Sequence, residues 1–283
     1  MPTIRIGASG FIDAALWIRN RLSDFNVPQP AGNRLMNAYK LLQDANQRKI
    51  LLRPDDEKTL YEVTEAQWTV LEQYIVAHAL SVKDRTLPPI LLDKLETMLS
   101  GADIEEDDKN PLARNTQFEL YVGATLVMGG VQTWLYEPDL QIDYLGTKIA
   151  VAAKRVRSAR QLTKRAKDAA IQIRKSGLPG IVAMNVDVLL RKTGMGDLGT
   201  EQLDERLAAL KVVDNLLLKY EEVLASLVFA RDAIWQFSGE KPSIELAIWY
   251  RFVTYPRSQK QREFGEEFWR RVRERIDERM ANI

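Results

Sequence analysis

Asp139 and Lys154 are the residues of this sequence whose chemistry most needs an explanation. They lie at the far ends of two extended runs, residues 140–145 and 148–153, that flank Gly146-Thr147, a Gly-X pair suited to a type II′ hairpin turn. With that turn Leu145 faces Lys148, and pairing back sets Asp143 opposite Ala150, Gln141 opposite Ala152 and Asp139 opposite Lys154. Strand alternation then puts Asp139, Gln141, Asp143, Ala152 and Lys154 on one face, and Leu140, Ile142, Tyr144, Ile149 and Val151 on the other. The second set is a core face. A carboxylate and an ammonium at the end of a covered ribbon are costly to desolvate unless paired or used. The two therefore form either a cross-strand salt bridge or a working site.

The elements that must position this ribbon can be read on either side of it. Residues 116–128 form a helix that stops at Gly129-Gly130, and residues 131–136 read as a strand. After the ribbon come a basic helix, 159–175, and a nearly continuous apolar run, 180–188, as expected of a central strand covered on both faces. A long helix from 201 to 229 follows, then strands at 233–237 and 245–253 and an amphipathic helix at 262–280. Upstream, residues 14–22, 33–46 and 65–81 carry apolar side chains at helical spacing, with Pro28, Pro30, Pro54 and Pro88-Pro89 as breaks. The reading is α/β (α+β): a mixed β-sheet flanked by helices over 111–283, preceded by a helical N-terminal domain over 1–110.

The chain has 283 residues and 46% hydrophobic content, enough to bury a sizeable core. With no cysteine and one histidine, His78, thiol nucleophiles, disulfides, thiolate zinc sites and histidine-rich metal centres are excluded. Any metal must be held by oxygen. No run is long and apolar enough to cross a bilayer and no signal peptide is evident, so a cytoplasmic protein without a membrane partner is expected. The net charge of +1 conceals a local imbalance: residues 154–175 hold nine basic side chains against one acid, Asp168, while residues 103–108 hold five acids in six positions. The basic stretch points to nucleic acid, or to a solvated helix face.

The order of these elements and motifs resembles the PD-(D/E)XK, or restriction endonuclease-like, nuclease superfamily. The similarity covers residues 115–188: the glutamate-bearing helix Gln117-Phe-Glu-Leu-Tyr-Val-Gly-Ala124, then Pro138-Asp139, then the hairpin ending in Val151-Ala-Ala-Lys-Arg155. The helix containing Lys167-Asp-Ala-Ala-Ile-Gln-Ile173 and the strand Gly180-Ile-Val-Ala-Met-Asn185 follow. The resemblance implies a restriction endonuclease-like fold and a catalytic set of Asp139, position 152, Lys154, Glu119 and Gln172. Asp139, the Ala153 carbonyl and Glu119 would meet a Mg²⁺ or Mn²⁺ ion, and Lys154 would serve the attacking water. At position 152 the family pattern calls for an acid, and this chain has Ala152. The intact surroundings favour a glutamate replaced by alanine in an otherwise active centre. Natural loss of the acid, or Glu119 taking its role, are the other readings.

The function implied is metal-dependent hydrolysis of phosphodiester bonds, DNA more than RNA, silenced here at position 152. Arg155, Arg157, Arg160, Lys164, Arg165 and Lys167 would neutralise backbone phosphates with little sequence preference. By the same resemblance the chain is expected to act in antiviral defence, beside a helicase or sensor subunit, with its oligomeric state open. The alternative is a non-catalytic nucleic-acid-binding or scaffold subunit of a larger complex. Other signals carry less. Arg5-Ile-Gly-Ala-Ser-Gly-Phe-Ile12 has Asp13 where a dinucleotide turn needs its third glycine, and Gly194-Met-Gly196 lacks the following Lys-Ser or Lys-Thr of a P-loop. His78 reads as a packed or surface residue, Trp17, Trp68, Trp235, Trp249 and Trp269 read as core, and Trp134, near the hairpin entrance, reads as core more than as a ring that stacks on a base.

Overall fold

The structure, a computed structural model, describes residues 3–4, 8–48, 57–80, 87–103, 111–187, 202–236 and 243–280. Eight helices and a seven-stranded mixed sheet occur among them. No described helix is long and apolar enough to cross a membrane. Residues 5–7, 104–108 and 194–196 lie outside the described residues, so the dinucleotide-like turn, most of the acidic run and the second glycine pair are not described. The chain divides into two compact units, one of residues 4–124 and 233–246, the other of 1–3, 125–232 and 247–283.

The first unit is built on α1 (Ala8–Asp24), α2 (Arg34–Arg48), α3 (Glu57–Ala79), α4 (Pro89–Leu99) and most of α5 (Leu112–Met128). Its helices bury Phe11, Ile18, Leu22, Leu35, Leu42, Val63, Trp68 and Val70 at helical spacing. Local signals end them where the prolines predict. Asn26 turns left-handed at φ 58° and the Val27 amide reaches back to the Leu22 carbonyl at 3.0 Å, closing α1. Asn33 accepts the Met36 amide at 3.0 Å and so caps α2. Trp17 is not core: it is 38% exposed and lies 4.9 Å from the Tyr74 ring. A surface helix keeps an aromatic outside when neighbouring rings shield its faces.

Most of the sheet lies in the second unit; it starts from the short β1 (Thr3–Ile4), and its strands, numbered in chain order, lie in the order β1-β7-β6-β5-β4-β3-β2. β2 (Gln132–Tyr136), β3 (Asp139–Tyr144) and β4 (Thr147–Arg155) form an antiparallel meander. α6 (Ala159–Ser176) then crosses over to β5 (Gly180–Asn185), which lies parallel to β4, and β6 (Val223–Gln236) is parallel to β5. α7 (Gln202–Leu217) precedes β6, β7 (Ser243–Thr254) follows it, and α8 (Gln259–Met280) ends the described chain. β5 is buried throughout, as a strand with both faces covered must be.

Two expectations are corrected here. The helix expected over 201–229 stops at Leu217, and the apolar run from Val223 is strand. Every residue from Ala225 to Ala230 is buried; a central strand provides cover on both faces, which an amphipathic helix does not. No Gly or Pro marks the break, because Tyr220 and Val223 close it through amides to the Leu217 and Tyr220 carbonyls at 3.0 and 3.1 Å.

The hairpin also turns elsewhere than Gly146-Thr147. Leu145 (φ 52°) and Gly146 (φ 79°) are both left-handed, the signature of a type I′ turn, and the Gly146 amide donates to Asp143 Oδ1 at 2.8 Å. The register moves by two residues, pairing Asp143 with Lys148 and Gln141 with Ala150. A shift of two keeps every side chain on its predicted face.

Candidate functional site

Position 152 lies under a helix. The apolar residues of α6, Leu162, Ala166, Ala169, Ala170 and Ile173, share one buried cluster with Ala150 and Ala152 of β4 and with Val182 and Met184 of β5. Hence α6 covers the even-numbered face of β4, on which Lys154 also lies. The opposite face meets α8, where Tyr144 packs edge-on to Phe264 and Phe268 at 5.4 and 4.8 Å.

The ladder pairs Leu140 with Val151, so its next rung brings Asp139 beside Ala152 on the α6 face. There Asp139 Oδ2 accepts the Ala153 amide at 2.8 Å and the Lys154 ammonium at 2.7 Å. The two side chains are 13% and 14% exposed. Aspartate and lysine thus meet, though diagonally and not as the directly opposed pair the expected register gives, with the backbone amide as a third member.

The other sequence-predicted residues fall differently. Glu119 is on α5 in the first unit, its carboxylate bonded to Lys94 of α4. Gln172 is on α6, half-buried, and its Oε1 is buried without a hydrogen-bond partner. Arg155 and Arg157 are half-buried and engaged with neighbours, as is common where a strand end runs into a helix. Arg160, Lys164 and Lys167 are exposed at helical spacing on α6, a row about 10 Å long at 1.5 Å per residue; Arg165 beside them is half-buried.

Magnesium asks for an octahedron of hard oxygens anchored by one or two carboxylates. Asp139 supplies one carboxylate, and one of its oxygens is already occupied by a cation and an amide. No group of three acidic or histidine side chains able to hold a metal occurs among the described residues. With alanine at 152, the residues present do not fit a divalent cation.

Two polar networks escape a reading of the sequence. At the end of β5, Asp187 Oδ2 accepts Asn185 Nδ2 at 2.7 Å and pairs with Arg231 Nε at 2.6 Å, while Oδ1 accepts the Arg231 amide at 2.7 Å. Alternation places Asn185 and Asp187 on the sheet face away from Lys154. In the second, Asp214 of α7 takes both Arg251 nitrogens and, at 2.7 Å, the Tyr255 hydroxyl, which also meets Ser226 Oγ at 2.8 Å. Burial, then the bond to Asp214, pushes the Tyr255 hydroxyl above the ordinary tyrosine range. Asn185 and Asp187 interrupt an otherwise apolar run, which is the signal that could have found them.

The expectation that Trp134 is core is also corrected. β2 is the last strand of the sheet and alternates exposed Gln132, Trp134 and Tyr136 with half-buried Thr133 and Leu135. Trp269 is half-buried, stacked on Phe252 at 5.0 Å, whereas the side chains of Trp235 and Trp249 lie outside the described residues. His78 is exposed, 5.9 Å from the Tyr74 ring.

No protein-family model matches the chain, and no match was found among curated proteins.

Proposed function

We propose that this chain is a nucleic-acid-handling protein of the restriction endonuclease-like type, built for metal-dependent phosphodiester hydrolysis of DNA and held short of it by alanine at position 152. The carrying observation is Asp139 bonded to both Lys154 and the Ala153 amide on the rung beside Ala152. A glutamate at 152 would add the second hard-oxygen anchor next to the first. The order α5-β2-β3-β4-α6-β5 supports the reading, as does the exposed row of Arg160, Lys164 and Lys167 that follows the lysine. In the present chain Lys154 neutralises Asp139, so a phosphate approaching this face meets little net repulsion.

The decisive experiment is Ala152→Glu assayed on plasmid and on single-stranded circular DNA with Mg²⁺ or Mn²⁺, with Ala152→Gln as control. Cleavage by the glutamate variant alone supports the nuclease reading; inactivity of a folded glutamate variant that still binds DNA sinks it. One observation favours the second reading, a non-catalytic nucleic-acid-binding subunit: Ala152 is 0% exposed within an all-apolar cluster. An antiviral role with a helicase or sensor subunit belongs to the same proposal and is tested by co-purification with neighbouring gene products.

A further inference from the structure

Trp134 and Tyr136 are 43% and 65% exposed, two large rings in water on the last strand of the sheet. The register sets Tyr136 beside Asp139 and Trp134 beside Gln141. Residues paired across an antiparallel ladder point to the same side, so both rings stand on the face that carries Lys154 and α6. From the strand edge inward, this face presents two aromatic rings, the neutralised Asp139–Lys154 pair and then a helix whose Arg160, Lys164 and Lys167 are exposed.

From this juxtaposition we infer that the β2 edge is a stacking platform for two successive bases of a single-stranded nucleic acid, whose backbone runs on toward α6. The inference rests on the nucleic-acid reading above and names its substrate class. Residues two apart on a strand are about 6.7 Å apart, roughly twice the 3.4 Å rise between stacked bases in a duplex. Two neighbouring bases can each rest on a ring only after unstacking from one another. Duplex bases, stacked and paired, do not reach such rings, while single strands offer every base face. The charge pattern agrees. Of the acids on this face, Asp139 is tied to Lys154 and Asp143 to the Gly146 amide; Asp168, the one acid of α6, is half-buried beside Lys167, and Glu137 is exposed just past the strand end. The cations lie where a backbone leaving the rings would pass.

The test uses the full chain and anisotropy of labelled oligothymidylate and of a duplex of equal length, each over a range of salt. Wild type is expected to prefer the single strand. Trp134→Ala and Tyr136→Ala should each weaken single-strand binding by about fivefold to a hundredfold, with duplex binding and salt slope unchanged. Trp134→Phe and Tyr136→Phe should retain most of the affinity. Arg160→Ala/Lys164→Ala/Lys167→Ala should instead lower the salt slope, by about 0.7 for each single-strand phosphate that no longer meets a cation. If the alanine ring variants bind oligothymidylate as tightly as wild type while the basic variant weakens it, the platform is overturned and the nucleic-acid reading stands. If wild type binds neither probe at low salt, both fall. If light scattering finds wild-type dimers that the ring variants dissolve with oligonucleotide affinity unchanged, the edge serves a second copy of this chain and the platform is again overturned.

Discussion

Lys154 and Asp139 close on one another at 2.7 Å, diagonally across the ladder where β3 begins and β4 nears its end. Asp139→Ala removes two hydrogen bonds and leaves the Lys154 ammonium, 14% exposed, without its carboxylate. A loss of about 1–3 kcal/mol is expected. Asp139→Asn should lose less, because its amide oxygen still accepts from Ala153. Urea unfolding of the two variants measures the difference directly.

The turn holds a residue that does not suit it. Leu145 is 73% exposed at φ 52°, where a leucine side chain crowds the backbone. Leu145→Asn keeps the turn, relieves the crowding and removes no packing. A gain of about 0.5–1 kcal/mol is predicted, visible as a higher unfolding midpoint.

Tyr255→Phe should cost about 1–2 kcal/mol, since Ser226, fully buried, loses its hydroxyl partner. It should also change the alkaline limb of stability. The folded Tyr255 hydroxyl ionises above its ordinary range, so from about pH 10, where an unfolded tyrosine starts to lose its proton, the native state holds the extra proton. Stability therefore falls as pH rises past that point. This component should be missing from the pH profile of the phenylalanine variant.

Ala152→Glu puts a carboxylate next to Asp139 and into a layer of methyl groups. Without a cation the like charges and the burial should together lower stability by about 2–5 kcal/mol. Millimolar Mg²⁺ should recover part of this, and a ligand at a hundred times its dissociation constant restores about 2.7 kcal/mol. Thermal melts with and without Mg²⁺ check it, with no Mg²⁺ response expected from wild type or Ala152→Gln.

What the sequence discloses depends on whether a pattern has one physical solution. The hairpin faces are legible because polar and apolar side chains alternate over six residues, and a register error of two does not disturb that parity. The turn is not, because nothing in the type of Leu145 signals a left-handed backbone. β6 reads partly as helix since Leu-Val-Phe-Ala fits both a helix flank and a doubly covered strand. Asp139 and Lys154 can be brought together from spacing alone. The partner of Glu119 cannot, for Lys94 is 25 positions away and on another helix. Hydrophobicity assigns Trp134 inward, whereas its exposure follows from β2 being the final strand, a property of topology.

Between β4 and α6 alanine meets alanine: residues 150 and 152 on one side, 166, 169 and 170 on the other. Such small groups leave no slack, so the spacing of the two layers is set by methyl contact and the helix cannot sink further toward the strands. A bulky apolar side chain at 152 acts as a wedge under the helix, whereas a glutamate has to turn its carboxylate out of this layer toward Asp139. Apolar enlargements in this hidden layer should therefore shift the outer row of cations and alter salt sensitivity along with stability.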